Sequence, residues 1–337
     1  SWMLADFVAE DGLTAVDTQT FQITLKRPFA PLLSFLPWWY IMNPAEVMAN
    51  EVDGDMGQAW LLENAAGSGP YKVRRFVQGT LYELELNENY WRGFDGPLGG
   101  IIYKITRESA AQRAGLIRGE VDIALDLTPE DFDSVAKMDG ISTSTEPALT
   151  AFGLKFNTTA EYTSDVNFRK ALAYAYDYDA FVKIFNGRAK LQTSPFTDSI
   201  QGKIDVADMP RQDIEKAKEY LAMTPWPDGG MEIEYVYVEG FEEERQMGLV
   251  LIDALKALNI SVKMVPLTWP NMVARGSKPE TSPHLMAIFA TPVSTDPDAV
   301  AIQYHPESHG KYYGTHFYDN PEVTDLIVAA RNEVEWD

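Results

Sequence analysis

Three of the four histidines, His305, His309 and His316, fall within twelve residues, and with Glu307 they offer the imidazole and carboxylate chemistry that binds transition metals. Pro306 and Gly310 interrupt the single helical face that a His-x3-His pair needs, so loop histidines are expected and a metal or other cofactor is not. Asp296-Pro297-Asp298 could hold a cation or a ligand amine, or one Asp could cap a helix running to Tyr304. Glu239, Glu242, Glu243 and Glu244 crowd one helix start, where the dipole favours acids; they could hold a cation, with a solvated first turn as the stronger reading. Trp38, Trp39 and Tyr40 could form a stacking platform for a sugar or peptide, with a buried core cluster as the stronger reading.

Catalytic patterns are missing. Gly67-Ser68-Gly69 lacks the outer spacing of a nucleophile elbow, no Gly-rich run ends in Lys-Ser or Lys-Thr to cradle a phosphate, and no dinucleotide fingerprint follows a strand. Carboxylates are so frequent that their proximity in sequence says little about glycosidase-type chemistry. The absence of Cys removes disulfides, thiolate nucleophiles and cysteine-held metal centres. No enzyme is expected.

Against 28 Lys and Arg stand 50 Asp and Glu, a formal net charge of −22 in 337 residues. That balance argues against a nucleic-acid partner, which needs a basic face to release counterions, and against an anionic membrane surface. With 45% hydrophobic and 12% aromatic residues the chain is globular and not a disordered acidic tail. The most apolar stretch, Phe29 to Met42, is broken by Pro31 and Pro37 and falls short of the ~20 residues that span a bilayer. No charged-then-apolar leader is present, so targeting sequence assigns no compartment.

The elements that must position these groups alternate between strand and helix. Trp2, Met3, Leu4 and Phe7 read as a helix interior, and Phe21 to Leu25 as a strand. Short helices are expected over Pro44–Asn50 and Gly57–Asn64, then a hairpin of Tyr71–Val77 and Leu81–Leu86 around Gln78-Gly79. Ile101–Ile105 is a strand, Ser109–Arg118 a helix stopped by Gly119, and Thr128-Pro129-Glu130-Asp131 a capped helix start. Strands over Ile141–Thr145 and Thr150–Phe156 follow. In the second half, helices over Phe168–Ala175, Arg211–Met223 and Glu242–Leu258 alternate with strands over Met231–Val238, Ile260–Val265 and Leu285–Phe289, and Asn259 stops the long helix. A last helical pattern begins at Pro321. An α/β protein of two lobes, each with its own sheet, is expected.

Several segments resemble the family 5 extracellular solute-binding proteins, the large peptide-type receptors of bacterial ABC importers. Gly67-Ser68-Gly69-Pro70-Tyr71-Lys72-Val73 is similar to the family's Gly-Thr-Gly-Pro-Tyr stretch, and Leu86-Asn87-Glu88-Asn89-Tyr90-Trp91 to its Asn-x-x-Tyr-Trp segment. Gly119-Glu120-Val121-Asp122 matches its Gly-Glu-hydrophobic-Asp turn. Phe152–Asn157 with Asp165–Ala175 resembles its entry into the second lobe, and Asn320–Leu326 its Asn-Pro-Glu-Val-Asp-x-Leu helix, with Thr324 inserted. The resemblance implies a two-lobe α/β fold of the periplasmic-binding-protein type (class II, Venus-flytrap) with a small extra subdomain. Residues 1–66 would be part of that subdomain and its return to lobe I, 67–157 a lobe I segment with a hinge strand near Thr150–Asn157, and 158–337 lobe II. The N- and C-terminal parts of lobe I are expected to lie outside this chain.

The same resemblance implies capture of a solute between the lobes, delivery to the transmembrane subunits of an ABC permease, a monomer, and a periplasmic or extracellular location, lipid-anchored in the full-length protein or not. Peptide-binding members hold the ligand's amino terminus with an Asp four residues before the Pro of an acidic-Pro pair; here Pro297 places Val293 at that position. Dipeptide binders also offer an Arg at the end of the strand before the long helix, where this chain has Val238-Glu239. A neutral ligand would instead use aromatic faces and side-chain hydrogen bonds, for which Phe152, Trp269, Phe289, Thr291, Asp296 and Tyr304 are the candidates. The peptide reading stands first, an oligosaccharide or other neutral solute second, and a metal-complex (nickel-type) receptor using His305, His309 and His316 third.

Overall fold

Near the start of the chain, Val8–Ala15 (β1) and Phe21–Leu25 (β2) pair antiparallel as a hairpin. The helix expected around Phe7 is therefore wrong at Phe7 itself, which lies in the turn leading into β1. A register shift between Val8 and Leu13 marks an irregularity that breaks the period-two pattern and hides the strand from sequence. Trp2, Met3 and Leu4 lie outside the residues that this computed structural model describes, which are 7–125, 127–146 and 148–333. A single helical turn, Leu32–Phe35 (α1), follows the hairpin. Two compact units emerge, Ser1–Phe35 with Thr145–Asp337, and Leu36–Ser144.

In the unit Leu36–Ser144, Pro44–Met48 (α2) starts at Asn43, whose side chain accepts the Ala45 N–H, and Gln58–Leu61 (α3) is a single turn. Trp38 and Tyr40 are 45% and 78% exposed, which corrects the expectation of a buried aromatic cluster. Tyr71–Val77 (β3) and Leu81–Leu86 (β4) form the expected hairpin, with Gly79 at φ 67° supplying the left-handed turn residue. Gly100–Lys104 (β5) adds to β4. Ser109–Ile117 (α4) and Pro129–Val135 (α5) are held together by Asp131, which receives the Ser109 hydroxyl at 2.5 Å and pairs with Arg113 at 3.0 Å. Ile141–Thr145 lies in no strand. Alternation alone does not make a strand where no neighbouring backbone completes the ladder.

The other unit is built on the strands Ala151–Phe156 (β6), Glu232–Val238 (β7), Ser261–Leu267 (β8) and Leu285–Ala290 (β9), in the order β6-β9-β7-β8. β9, β7 and β8 run parallel and β6 antiparallel, hydrogen-bonded along its length to β9. Val166–Ala175 (α6), Tyr178–Lys183 (α7), Ile214–Ala222 (α8) and Glu242–Leu255 (α9) precede or link these strands. They bury Phe168, Leu172, Leu221, Leu251 and Leu255 against Ile233, Tyr235, Leu285 and Ala287 on one sheet face. Each such side chain contributes about 1.5–3 kcal/mol as an upper estimate. Trp269–Arg275 (α10) places Met272 on the opposite face with Val236, Met286 and Ile288. Period-two alternation in β7 and β9 divides the strand residues between the two cores.

Asn259, at φ 53°, ends the 3-10 turn that prolongs α9 and lets β8 begin two residues later. Asp298–Ala301 (α11) and Pro321–Asn332 (α12) complete the unit. Buried Arg331 of α12 pairs with Asp298 at 2.7 Å and Glu307 at 2.9 Å. Its guanidinium lies 5.0 Å and 5.8 Å from the ring centroids of Phe7 and Phe29, tying the hairpin segment to the last helix.

Candidate functional site

From β7 the chain leaves through α9 on one sheet face to β8, then crosses back through α10 on the other face to β9. Connections diverge between β7 and β9, and the region beyond the C-terminal ends of such parallel strands is the place where open α/β sheets bind ligands. At this edge lie Val238 at the end of β7 and Glu239 after it, Thr268 and Trp269 after β8, and Thr291 after β9, with antiparallel β6 entering at Thr150.

Half-buried aromatic rings gather there. Phe152 of β6 and Phe289 of β9 are register partners with centroids 5.0 Å apart, and Phe241 and Phe185 join them at 5.1 Å and 5.4 Å. Thr150 and Thr291 hydroxyls lie 3.1 Å apart. Trp269, at the start of α10, is 46% exposed and packs on Tyr312 at 4.2 Å. Phe152, Phe289, Thr291 and Trp269 thus share one sheet edge.

Glu244 corrects the expectation of a solvated acidic turn: it is 1% exposed. Glu242 does remain at the surface, paired with Arg245. The Glu244 Oε2 accepts the Val238 N–H at 2.8 Å, and its carbonyl accepts the Tyr235 hydroxyl at 2.5 Å. Its Oε1 is buried without a hydrogen-bond partner among the described residues. Burial pushes its carboxyl up to about 7, with the Val238 N–H pulling the other way. The Tyr312 hydroxyl is also buried; burial raises it further above the usual phenol range, the Glu244 carboxylate adds to that, and the Phe289 backbone N–H pulls the other way. Sequence points to none of Phe241, Phe185 and Tyr312, and to Glu244 only as one of four acids that could hold a cation. Glu244 had a signal: it is in helical phase with Met247, Leu251 and Leu255, all buried.

The remaining candidates lie apart from these rings. Val293 is half-buried in the loop after β9. Asp296 accepts the Asp298 N–H at 2.9 Å in a local turn just before α11, whose N-cap position is Pro297. Tyr304 stacks on His316 at 5.3 Å under the Lys155 amine, and burial raises its hydroxyl. His316 donates from Nε2 to the Gln303 carbonyl and accepts the Tyr318 N–H at Nδ1, so both nitrogens are engaged; burial, then the Lys155 charge, lower it to about 3. His309 donates to the Tyr318 carbonyl, and His305 accepts the Glu307 N–H. Among the described residues no three His, Asp or Glu side chains are grouped to hold a metal.

A groove of about 500 Å³ opens at the opposite sheet edge, near the start of β7 and β9, with Glu234, Arg275, Ser282 and His284 in its lining. Its polar groups are largely engaged within the protein. Arg275 pairs with Glu234, His284 accepts the Glu234 N–H at 3.1 Å, and Ser282 donates to the Thr315 carbonyl at 3.0 Å. The aromatic edge, with its unspent Glu244 oxygen, is the better candidate despite the groove's volume.

Comparison with known proteins agrees with this architecture. The family described as bacterial extracellular solute-binding proteins, family 5 Middle, matches residues 2–311. Over 325 residues the chain is 26% identical to the probable D,D-dipeptide-binding periplasmic protein DdpA of Escherichia coli (strain K12), covering 94% of this chain and 61% of that protein. It is 25% identical over 312 residues to the oligopeptide-binding protein AppA of Bacillus subtilis (strain 168), covering 86% and 56%. The solved ABC transporter-associated periplasmic binding protein DppA from Helicobacter pylori, in complex with peptide STSA, superposes with a TM-score of 0.85 at 20% identity, covering 99% of this chain and 64% of that one. The chain therefore spans about three-fifths of the length of these relatives. A family match over nearly the whole chain, on a fold shared with a solved periplasmic binding protein, establishes that this chain belongs to the bacterial extracellular solute-binding proteins, family 5.

Proposed function

We propose that this chain is the greater part of a peptide-type receptor that captures a short peptide and passes it to the transmembrane subunits of an ABC importer. The observation that carries the reading is the aromatic edge at the β7–β9 divergence, where Phe152, Phe289 and Trp269 offer apolar faces beside backbone and hydroxyl groups. Support comes also from the relatives, whose names describe dipeptide and oligopeptide binding. Binding without chemistry fits a site of rings and threonines, and the location outside the cytoplasm fits the family's extracellular description. Capture between two lobes, with a hinge near Thr150–Asn157, belongs to the same proposal, as does the division at residues 66 and 157. Closure would be stabilised by the ligand's preference for the closed state.

An oligosaccharide is the second reading, favoured by the exposed Trp269 ring, a surface on which a sugar face could stack. Native mass spectrometry of the purified chain, with released ligand identified after denaturation, separates the two. Co-purified peptides support the first reading and a sugar the second. Hydrolysis of added peptide would overturn binding without chemistry. Trp269→Ala is expected to weaken the bound solute roughly tenfold with little change in melting temperature; a large drop in melting temperature would make Trp269 a structural residue instead.

A further inference from the structure

His284 stands immediately before β9, where the pairing of β9 with β7 begins at Tyr235 opposite Leu285. One residue earlier on β7, the Glu234 N–H donates to the His284 ring at Nδ1, 3.1 Å away, so a side chain supplies the acceptor that the ladder does not. The His284 carbonyl accepts the Asn157 N–H at 3.0 Å, and this one residue thereby joins the starts of β7 and β9 to the end of β6. A ring nitrogen that accepts carries no proton, which fixes the neutral tautomer with its hydrogen on Nε2. The ring is half-buried and lies nearly parallel to Tyr162, with centroids 5.5 Å apart.

A proton gained at Nδ1 turns the acceptor into a donor, and flipping the ring gives no remedy because both nitrogens of an imidazolium donate. The Glu234 N–H then faces a second donor, and a half-buried donor left without a partner is costly. Beside the ring lies the groove of about 500 Å³, which gives it room to turn. Burial, the largest influence, holds the imidazole below its usual range, while Glu234 of β7 and Glu161 of the loop after β6 favour the charged ring. Glu234 is already shared with Arg275 of α10 and lies 3.9 Å from Lys263 of β8. Glu161 lines the groove together with Glu280. We propose that His284 is an acid-operated latch: neutral, it closes the start of the β7–β9 ladder; charged, it releases the Glu234 N–H and swings into the groove towards Glu161, loosening the sheet edge opposite the aromatic rings.

Amide hydrogen exchange of the whole chain, resolved by NMR, tests this. Measured against its intrinsic exchange rate, Glu234 is expected to lose protection roughly tenfold as pH falls from about 7.5 to about 5, while Tyr235 and Val236 keep theirs. Over the same range the nitrogen chemical shifts of the His284 ring should change from one bare nitrogen to none. His284→Asn places an amide oxygen, an acceptor that takes up no proton here, near the position of Nδ1; it should hold Glu234 protection within about twofold at both pH values. Glu161→Gln should move the transition to lower pH and leave protection at about pH 7.5 unchanged. An equal loss of protection along β7 would be general acid softening and would overturn the latch. So would a ring that stays in the Nε2–H form down to about pH 5, or one that charges while Glu234 keeps its protection. Should His284→Asn not fold, the exchange and ring shifts of the wild-type chain decide the matter by themselves.

Discussion

Lys155 extends its amine from β6 among Gln303, Tyr304 and Tyr313, donating to the Gln303 side chain and the Tyr313 carbonyl, each at 2.9 Å. Among the described residues no carboxylate pairs with it, and burial lowers the amine from 10.5 to about 7. The unfolded chain then holds a proton that the folded chain gives up between these values. The associated stability is present in full above 10.5 and is lost as pH falls towards 7, by an amount on the order of several kcal/mol. Below 6.5 His316, held down to about 3, adds a second loss in the same direction. Melting temperature is therefore expected to fall from about pH 9 to about pH 7. Lys155→Met, which keeps the stem but not the charge, should flatten that slope while losing two hydrogen bonds of about 1 kcal/mol each at every pH. An undiminished slope in Lys155→Met would reject the assignment. At this scale the aromatic members of the edge were legible because Phe152, Phe289 and Trp269 sit in or beside recognisable strand ends. Glu244 was not, because four acids near one helix start look alike until packing separates them, and Tyr312 lies in a segment with no periodic pattern.

Gly248 shows how one element constrains the next. It lies inside α9, where alanine would be favoured by about 1 kcal/mol, yet an added Cβ would come within 2.5 Å of the Tyr235 ring and 2.6 Å of the Met264 methyl. The methionine end can swing aside. The Tyr235 ring is fully buried and its hydroxyl is bonded to the Glu244 carbonyl, so α9 itself must retreat from β7. Overpacking of this kind costs about 1–3 kcal/mol. Gly248→Ala is thus expected to lower stability by about 1–2 kcal/mol, read by urea denaturation; an unchanged or higher midpoint would mean that α9 has room to shift. Elements with local signals were legible: the Gln78-Gly79 hairpin, the Thr128 cap and the Asn259 stop all stand where sequence placed them. The misses are pairing problems. β1 is irregular opposite β2, and Ile141–Thr145 has strand composition but no ladder, and neither fact is local to the residues concerned.

Across the whole molecule 28 Lys and Arg face 50 Asp and Glu, so carboxylates outnumber these cations by 22. Two salt effects then compete. Exposed pairs such as Lys72–Glu85 and Lys256–Asp253 weaken as salt is added, but each contributes only about 0–1 kcal/mol. Repulsion among the surplus carboxylates also weakens, and it acts over the screening length, which shrinks from about 30 Å at 0.01 M to about 10 Å at 0.1 M salt. With so large a surplus the second effect is the larger, and compaction is favoured as the charges are screened. The melting temperature should therefore rise by about 5 °C between low salt and ~0.5 M sodium chloride. Potassium chloride should act equally if screening is the cause. A fall with added salt would show that the ion pairs, and not the surplus, dominate. The same field would draw a cationic solute towards the protein, so the association rate of a cationic peptide such as trilysine should drop over the salt range in which the melting temperature climbs. A rate independent of salt would separate the stability effect from any steering of the ligand.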